Sequence, residues 1–244
     1  METHSWIAAQ WPAPSNVNAG ITTRLGGVSQ PPFDSLNLAT HVDDELSDVL
    51  ANRKLLKDYL ELPEEPHWLN QVHGCGVSMD TSIESEADAC MTQTTGRVCA
   101  VMTADCLPVL ITDKQGSCVA AVHAGWKGLE QQVIARAIEV MPAKVNDLLV
   151  WLGPAIGPQV FEVGEEVRDL FLEQGKSFAD AFVTGAAEGK WLMDIYNVAR
   201  QQLVELNVGG VYGGGFCTYQ DAEHFYSFRR DKITGRMASL IWMS

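Results

Sequence analysis

The sequence predicts an α+β fold, because strand pairs and isolated helices follow one another without the regular βαβ order of a parallel sheet. Two apolar runs, 107–112 and 117–123, are joined by Asp113-Lys-Gln-Gly116, which is typical of a β-hairpin. Elsewhere apolar residues recur at helical spacing in separate stretches. Several strand-like runs are apolar at nearly every position, which predicts sheets covered on both faces.

Each element follows from a local pattern. Short runs rich in aliphatic and β-branched residues predict strands, at about 19–23, 98–103, 107–112, 117–123, 148–152, 224–228 and 237–242. Apolar residues three and four positions apart predict helices, at about 45–60, 133–141, 163–171 and 192–206. Pro142 ends the second of these helices. No internal repeat or linker interrupts the chain, so a single domain over residues 1–244 is expected.

Composition limits the classes of function. The 244 residues are 46% hydrophobic and 20% charged, as in an ordinary globular protein. The formal net charge of −14 opposes binding to nucleic acid or to an anionic membrane surface. We expect a cytoplasmic protein with six reduced cysteines, a small-molecule substrate, and a monomeric or weakly homodimeric state.

Two histidines and one cysteine each close a hydrophobic run: His73, Cys106 and His123. Chemistry is commonly placed where buried strands meet loops. Two neutral imidazoles and one thiolate suit a zinc ion with an open fourth position, which is the pattern of a catalytic site. The alternative is a metal-free pair, with Cys106 as nucleophile and His123 as its base. The residues alone leave both open.

Other candidates surround this triad in the sequence. Asp105 precedes Cys106 and would either orient backbone or act as a general acid or base. Asn37 is a polar side chain within an apolar stretch, where it could contact substrate. Basic residues beside glycine turns or in clusters are informative in so acidic a chain, since Arg and Lys bind phosphate or carboxylate; they are Arg24, Lys127, Arg229 and Arg230.

Taken together, several segments resemble the bacterial laccase-domain family, whose members are also called polyphenol oxidases or purine nucleoside phosphorylases. The segments are Thr22-Thr-Arg-Leu-Gly-Gly-Val28, Ser35-Leu-Asn-Leu38, Asn70-Gln-Val-His-Gly74, Thr103-Ala-Asp-Cys-Leu-Pro108, His123-Ala-Gly-Trp-Lys-Gly128, Gly153-Pro-Ala-Ile-Gly157 and Phe228-Arg-Arg-Asp231. They run in order from about residue 20 to the C-terminus. Lys127 departs from the pattern, since the family often carries Arg there.

The resemblance implies two packed mixed sheets flanked by helices, in four layers ordered α/β/β/α. It also implies zinc at His73, Cys106 and His123, and phosphorolysis of adenosine, inosine and methylthioadenosine with adenosine deamination as a side activity. Copper-dependent oxidation of phenols and editing of peptidoglycan precursors by an amidase are the alternatives within the family. The chain lacks the His-x-His pairs of true multicopper oxidases, although Cu²⁺ could occupy a zinc-type site.

In the mechanism we expect, zinc activates phosphate or water. Arg24, Arg229 and Arg230 would neutralise phosphate, Lys127 would add charge, Asn37 would contact the sugar or base, and Asp105 would donate a proton to the leaving purine.

Overall fold

The computed structural model describes residues 5–79 and 86–244. Its strands are β1 (Trp6–Ala8), β2 (Val17–Thr22), β3 (Val77–Ser78), β4 (Ala89–Thr92), β5 (Val98–Thr103), β6 (Leu107–Asp113), β7 (Val119–Ala124), β8 (Leu148–Leu152), β9 (Glu162–Gly164), β10 (Phe182–Thr184), β11 (Lys190–Met193), β12 (Gly210–Gly213) and β13 (Met237–Met243). Its α-helices are α1 (Leu46–Tyr59), α2 (Trp126–Glu130), α3 (Val133–Glu139), α4 (Glu165–Gln174), α5 (Ile195–Glu205) and α6 (Phe228–Asp231). Two 3₁₀ helices span Val145–Asp147 and Lys176–Ala181.

The predicted α+β class is confirmed, and two sheets form its centre. A four-stranded sheet has the order β1-β2-β13-β5, and a six-stranded sheet has the order β12-β8-β6-β7-β4-β3. The four-stranded sheet is antiparallel. The six-stranded sheet is mixed, because β12 runs parallel to β8 and β3 runs parallel to β4. A smaller antiparallel sheet, β10-β11-β9, is an addition that the sequence did not predict.

Three apolar clusters join the layers. Residues from both large sheets, among them Cys99 of β5 and Leu110 of β6, pack face to face. The opposite side of the six-stranded sheet packs against α3 and α5 through side chains such as Ile134 and Val198. The outer side of the four-stranded sheet is covered by Leu56 of α1 and by the 36–39 segment. Both sheets are therefore buried on two faces, which explains their nearly continuous apolar sequences.

Some predicted elements differ from the structure. The 224–228 run is not a strand, because Phe225 and Tyr226 fill the space between the sheets as single anchors and Ser227 already caps α6. The Tyr226 hydroxyl donates to the Phe33 carbonyl oxygen at 2.6 Å. Helix α4 begins after Val163, which lies in β9 instead.

The two remaining helices also differ from their predicted bounds. Leu192 lies in β11, so the last long helix, α5, starts at Ile195 with the Asp194 side chain as its N-cap. The 133–141 helix ends at Glu139 and is preceded by the short helix α2. Gln132 separates these two helices with a left-handed backbone conformation, at φ 63°. No helix in the described part of the chain combines the length and apolarity that a bilayer span requires.

A candidate metal centre

His73, Cys106 and His123 converge in space. Their candidate ligand atoms all lie within 4.8 Å of one another. The two imidazole rings meet edge to face, with centroids 4.8 Å apart and an interplanar angle of 78°. Ligands on one tetrahedral zinc ion are separated by roughly 3.5 Å, given bonds of about 2.0–2.3 Å. The side chains thus need to move by only about an ångström to share one ion.

The hairpin register brings two of the three together. In the pairing of β6 with β7, Pro108 lies opposite His123 and Leu107 lies opposite Ala124. Cys106 directly precedes β6, so its side chain lies at the end of the ladder next to His123. His73 was predicted to end a strand, and this is wrong. It lies in the loop between α1 and β3, with a positive φ of 60°.

A buried carboxylate that the sequence analysis did not identify fixes both histidines. Asp88 is fully buried, and its Oδ1 accepts a hydrogen bond from His123 Nδ1 at 2.7 Å. The same Oδ1 accepts from the backbone N–H of His73 at 3.0 Å. Its Oδ2 accepts from the backbone N–H groups of Gly74 at 2.7 Å and Val72 at 3.2 Å. Because Nδ1 of His123 is engaged, Nε2 is the nitrogen left to bind a metal.

The His73 loop is also tied to the four-stranded sheet. The Gln71 side chain donates to the Met102 carbonyl oxygen at 2.8 Å and accepts from the Met102 N–H at 2.7 Å. This exchange imitates a strand partner along the free edge of β5. These hydrogen bonds stabilise the loop, in which His73 adopts a left-handed backbone conformation that is unfavourable for a residue with a side chain.

Hydrogen bonds on both carboxylate oxygens fix Asp105 in place. Its φ of 98° is unusual for a residue with a side chain. One carboxylate oxygen accepts from Thr218 Oγ1 at 2.7 Å, and the other accepts from the backbone N–H of Arg229 at 2.6 Å. These bonds hold the strained turn before Cys106 and join it to the start of α6.

Gly125 lies against the triad. A Cβ atom at this position would be 3.0 Å from the Cys106 Sγ and 3.3 Å from the Cδ2 of His73. Its φ of −68° is available to any residue, so the close approach of the two ligands is the reason for glycine here.

Electrostatics favour a reactive thiol. Burial raises the pKa of Cys106, but the charge of His123 and hydrogen bonds from His123 and His73 outweigh burial and lower it to about 6. Burial lowers the pKa of His123, but the Cys106 thiolate and the Asp88 hydrogen bond outweigh it and raise the pKa to about 9. The metal-free site therefore holds a thiolate–imidazolium pair, from which a divalent cation would displace the imidazolium proton.

The triad lies on the wall of a cavity of about 400 Å³. His123 is almost completely buried, Cys106 is partly exposed and His73 is exposed. The apolar residues of the lining are Met102, Ala104, Trp126, Ile156, Phe161, Ile195 and Phe228. Besides the triad, its polar residues are His41, Gln71, Thr103, Asp105, Arg229 and Arg236.

Of the predicted substrate-binding residues, Arg229 lies in this cavity wall, where its guanidinium is 5.3 Å from the Phe161 ring centroid. Within the described residues, the cavity lining does not include Arg24, Arg230 or Lys127. Arg24 donates to Asp34 and to the Ala222 carbonyl oxygen.

Arg230 donates to three backbone carbonyl oxygens and to Asp231. Lys127 is exposed, with its Nζ 5.7 Å from the Trp126 ring centroid. Asn37 is buried, and it is not among the described residues that line the cavity. Its amide bonds to Ala39, Asp44 and the backbone N–H of Arg236.

Arg236 and Asp88 are the main residues that the sequence analysis missed. Arg236 lies between Gly235 and the apolar strand β13, and nothing in its immediate sequence distinguishes it from a surface cation. Asp88 had a usable signal: an acidic residue between Ala87 and Ala89, directly before a buried strand, requires donors around it.

Residues 18–244 match the family described as multi-copper polyphenol oxidoreductase laccase. The chain is 49% identical to a purine nucleoside phosphorylase of Pseudomonas aeruginosa, covering 98% of this chain and 99% of the relative. It is 48% identical to the purine nucleoside phosphorylase YfiH of Escherichia coli (strain K12), covering 97% and 98%. A crystal structure of a Neisseria meningitidis protein superposes with a TM-score of 0.94 at 45% identity, covering 98% and 99% of the two chains.

Proposed function

The chain belongs to the multi-copper polyphenol oxidoreductase laccase family, and from that premise we propose that it is a zinc-dependent purine nucleoside phosphorylase acting on adenosine, inosine and methylthioadenosine. Curated relatives at 45–49% identity are named purine nucleoside phosphorylases, which supports an enzyme of that kind. Deamination of adenosine is the side activity we propose. It would use water in place of phosphate at the same site.

The observation that carries the proposal is the convergence of three ligand atoms on the wall of one cavity. Two imidazoles and one thiolate fit zinc, and the hydrogen bond from His123 Nδ1 to Asp88 presents Nε2 for coordination. The exposure of His73 leaves the cavity side open to a reactant. When bound, zinc would supply Lewis acidity and a local positive charge for an oxygen nucleophile.

The cavity suits a nucleoside. The cavity volume of about 400 Å³ lies within the range of small-molecule sites, which is about 300–1,000 Å³. Phe161 and Phe228 offer flat apolar surface against which a purine could stack. Arg229, fixed through its backbone N–H by Asp105, places a cation in the same wall.

Asp105 fits a positioning role better than proton donation to the leaving purine. Both of its carboxylate oxygens accept hydrogen bonds, from Thr218 and from the Arg229 N–H, and an ionised carboxylate is the form that accepts two donors. Copper could occupy the same three ligands. Oxidation of phenols by a cluster of several coppers would need more ligands than the one group that the described residues bring together.

A second candidate is favoured by a specific observation. Cys106, His123 and Asp88 are ordered as nucleophile, base and orienting carboxylate, and the pKa of the thiol is lowered to about 6. The same arrangement would serve a metal-free cysteine hydrolase. In that chemistry His73 would contribute only a hydrogen bond to the thiol, smaller in effect than that of His123, whereas in the zinc site it is a ligand, so it separates the two candidates.

The test is phosphate-dependent release of the base from adenosine, inosine and methylthioadenosine by protein loaded with one equivalent of zinc. We expect His73→Ala, Cys106→Ala and His123→Ala each to lose both zinc and turnover while remaining folded. Zinc retained in all three variants contradicts the proposal. Hydrolysis of an amide substrate that survives strong chelation and His73→Ala supports the cysteine hydrolase, and zinc-dependent cleavage of a cell-wall precursor without phosphorolysis supports the amidase.

A further inference from the structure

Arg236 lies in the cavity wall, and only one of its three guanidinium nitrogens donates hydrogen bonds within the described protein. Its Nη1 donates to the carbonyl oxygens of Thr234 at 2.8 Å and Gly235 at 3.0 Å. Across residues 5–79 and 86–244, no hydrogen bond satisfies its Nε or Nη2, and no carboxylate forms an ion pair with it. Nε and Nη2 form the side-on fork that binds two oxygens of one oxyanion.

Arg230 and Arg24, which the sequence favoured for phosphate, differ in this respect and lie outside the described cavity lining. Arg230 uses Nε, Nη1 and Nη2 within the protein, and its guanidinium lies outside the cavity lining as described. Arg24 uses Nε, Nη1 and Nη2 as well. The donors of both arginines therefore stabilise the fold, whereas the Arg236 fork is free for a ligand. The guanidinium of Arg229, also in the cavity wall, donates only from Nη1 among the described residues, to the Glu162 carbonyl oxygen at 2.9 Å. What selects Arg236 is its position near His41, on which its charge acts.

Arg236 is also held in place. Its backbone N–H donates to the Asn37 Oδ1 at 3.0 Å, and Asn37 is fully buried. The guanidinium carbon lies 5.9 Å from the Phe228 ring centroid. With Nη1 anchored on two carbonyl oxygens, little side-chain freedom remains to be lost when a ligand binds.

Positive potential accumulates at this wall. His41 lines the same cavity, and its pKa is lowered by burial and then by the charges of Arg236 and Arg53. The Arg53 guanidinium stacks on Trp68 at 4.1 Å and donates from Nε to the Leu38 carbonyl oxygen. In a chain with a net charge of −14, Arg229 and Arg236 in one cavity wall, with the charge of Arg53 acting on His41 from outside the lining, favour an anion there.

We propose that Arg236 and His41 form an oxyanion subsite that takes a phosphate group on the cavity wall next to the metal ligands. The assignment deepens the proposed function and rests on it for the identity of the reaction. Arg236 supplies two parallel N–H donors to two phosphate oxygens, and His41 supplies one more donor. Free phosphate and the phosphate group of a nucleotide present the same oxygens to these donors.

The test measures binding apart from turnover. Inorganic phosphate is titrated into zinc-loaded protein, and its affinity is read from the shift of the His41 imidazole resonance and by calorimetry. We expect Arg236→Gln to weaken phosphate binding by tenfold or more, as the loss of a charge-assisted pair of bonds implies. His41→Gln should weaken it less. Arg236→Lys, which keeps the charge without the fork, should fall between.

Arg136→Gln is the matched control. It removes one positive charge from α3, where Arg136 pairs with Glu139 and is 58% exposed. Phosphate affinity equal to that of the unsubstituted protein in folded Arg236→Gln overturns the proposal, as does an equal loss in Arg136→Gln. If Arg236→Gln does not fold, Arg236→Lys and His41→Gln decide: unchanged phosphate affinity in both overturns it.

Two further arms identify the source of the phosphate. Binding of inorganic phosphate that depends on Arg236 assigns the subsite to the free ion. Binding of adenosine 5′-monophosphate but not of inorganic phosphate assigns it to a nucleotide, and binding of neither overturns it. Arg236-dependent binding without phosphorolysis would refute the proposed reaction and leave the subsite standing.

Discussion

Asp88→Asn best tests the residue that holds the two histidine ligands in place, because it leaves the three proposed metal ligands themselves unchanged. Asp88 accepts four hydrogen bonds, two on each oxygen. Asparagine has nearly the same shape but only one acceptor oxygen. In one orientation its amide N–H groups face the Val72 and Gly74 N–H groups. In the other they face His73 N–H and His123 Nδ1, which forces the imidazole into the tautomer that cannot ligate through Nε2.

The first orientation leaves two backbone donors without an acceptor, and the second leaves one, the His73 N–H. At about 1–3 kcal/mol for each, the variant should lose roughly 1–6 kcal/mol of unfolding free energy. Zinc affinity should fall about 10- to 100-fold, the usual effect of removing a carboxylate behind a metal-bound histidine. The assays are chemical denaturation of the metal-free protein and zinc competition with a chromophoric chelator.

Asp113→Asn is the matched control. Asp113 is a second buried carboxylate, and it accepts from Ser117 and Cys118 in the hairpin turn, outside the cavity lining as described. It should lose stability without losing zinc affinity. Unchanged zinc affinity in Asp88→Asn, or an equal loss of affinity in Asp113→Asn, would refute the reasoning.

Two more predictions concern the immediate surroundings of the thiol. Gly125→Ala should weaken zinc binding about tenfold with little change in metal-free stability, because its Cβ would press on Cys106 Sγ at 3.0 Å; Gly74→Ala, where the nearest atom is 3.6 Å away, is the control in the same competition assay. In metal-free protein, iodoacetamide should alkylate Cys106 with a rate that rises through a pKa of about 6, since the thiolate is the nucleophile. Zinc should block this reaction, and a rate that rises only near pH 9 would contradict the thiolate–imidazolium pair.

Much of the fold could be predicted because periodicity is local. The 107–112 and 117–123 hairpin and the 98–103 and 237–242 strands follow from runs of apolar residues, and the structure has all of them. The 224–228 run failed, because Phe225 and Tyr226 are buried by packing between sheets and not by strand pairing. Burial of an aromatic pair leaves the same sequence signature as a short strand.

The site was predicted unevenly for a similar reason. Cysteine and histidine are rare enough that three of them at the ends of apolar runs stood out, and the structure brings these three together. Arginines carry no such signal. Arg24 and Arg230 were expected to bind phosphate, yet their donors are used by backbone carbonyl oxygens and neighbouring carboxylates. Which arginine has free donors depends on contacts far along the chain, which one sequence does not reveal.

Zinc X-ray absorption on protein purified without added metal tests the central claim most directly. We expect about one zinc per chain, with one sulfur at about 2.3 Å, two imidazole nitrogens at about 2.0–2.1 Å and one further light atom. A zinc ion without a sulfur neighbour, or the same spectrum after Cys106→Ala, would contradict a metal centre built from His73, Cys106 and His123.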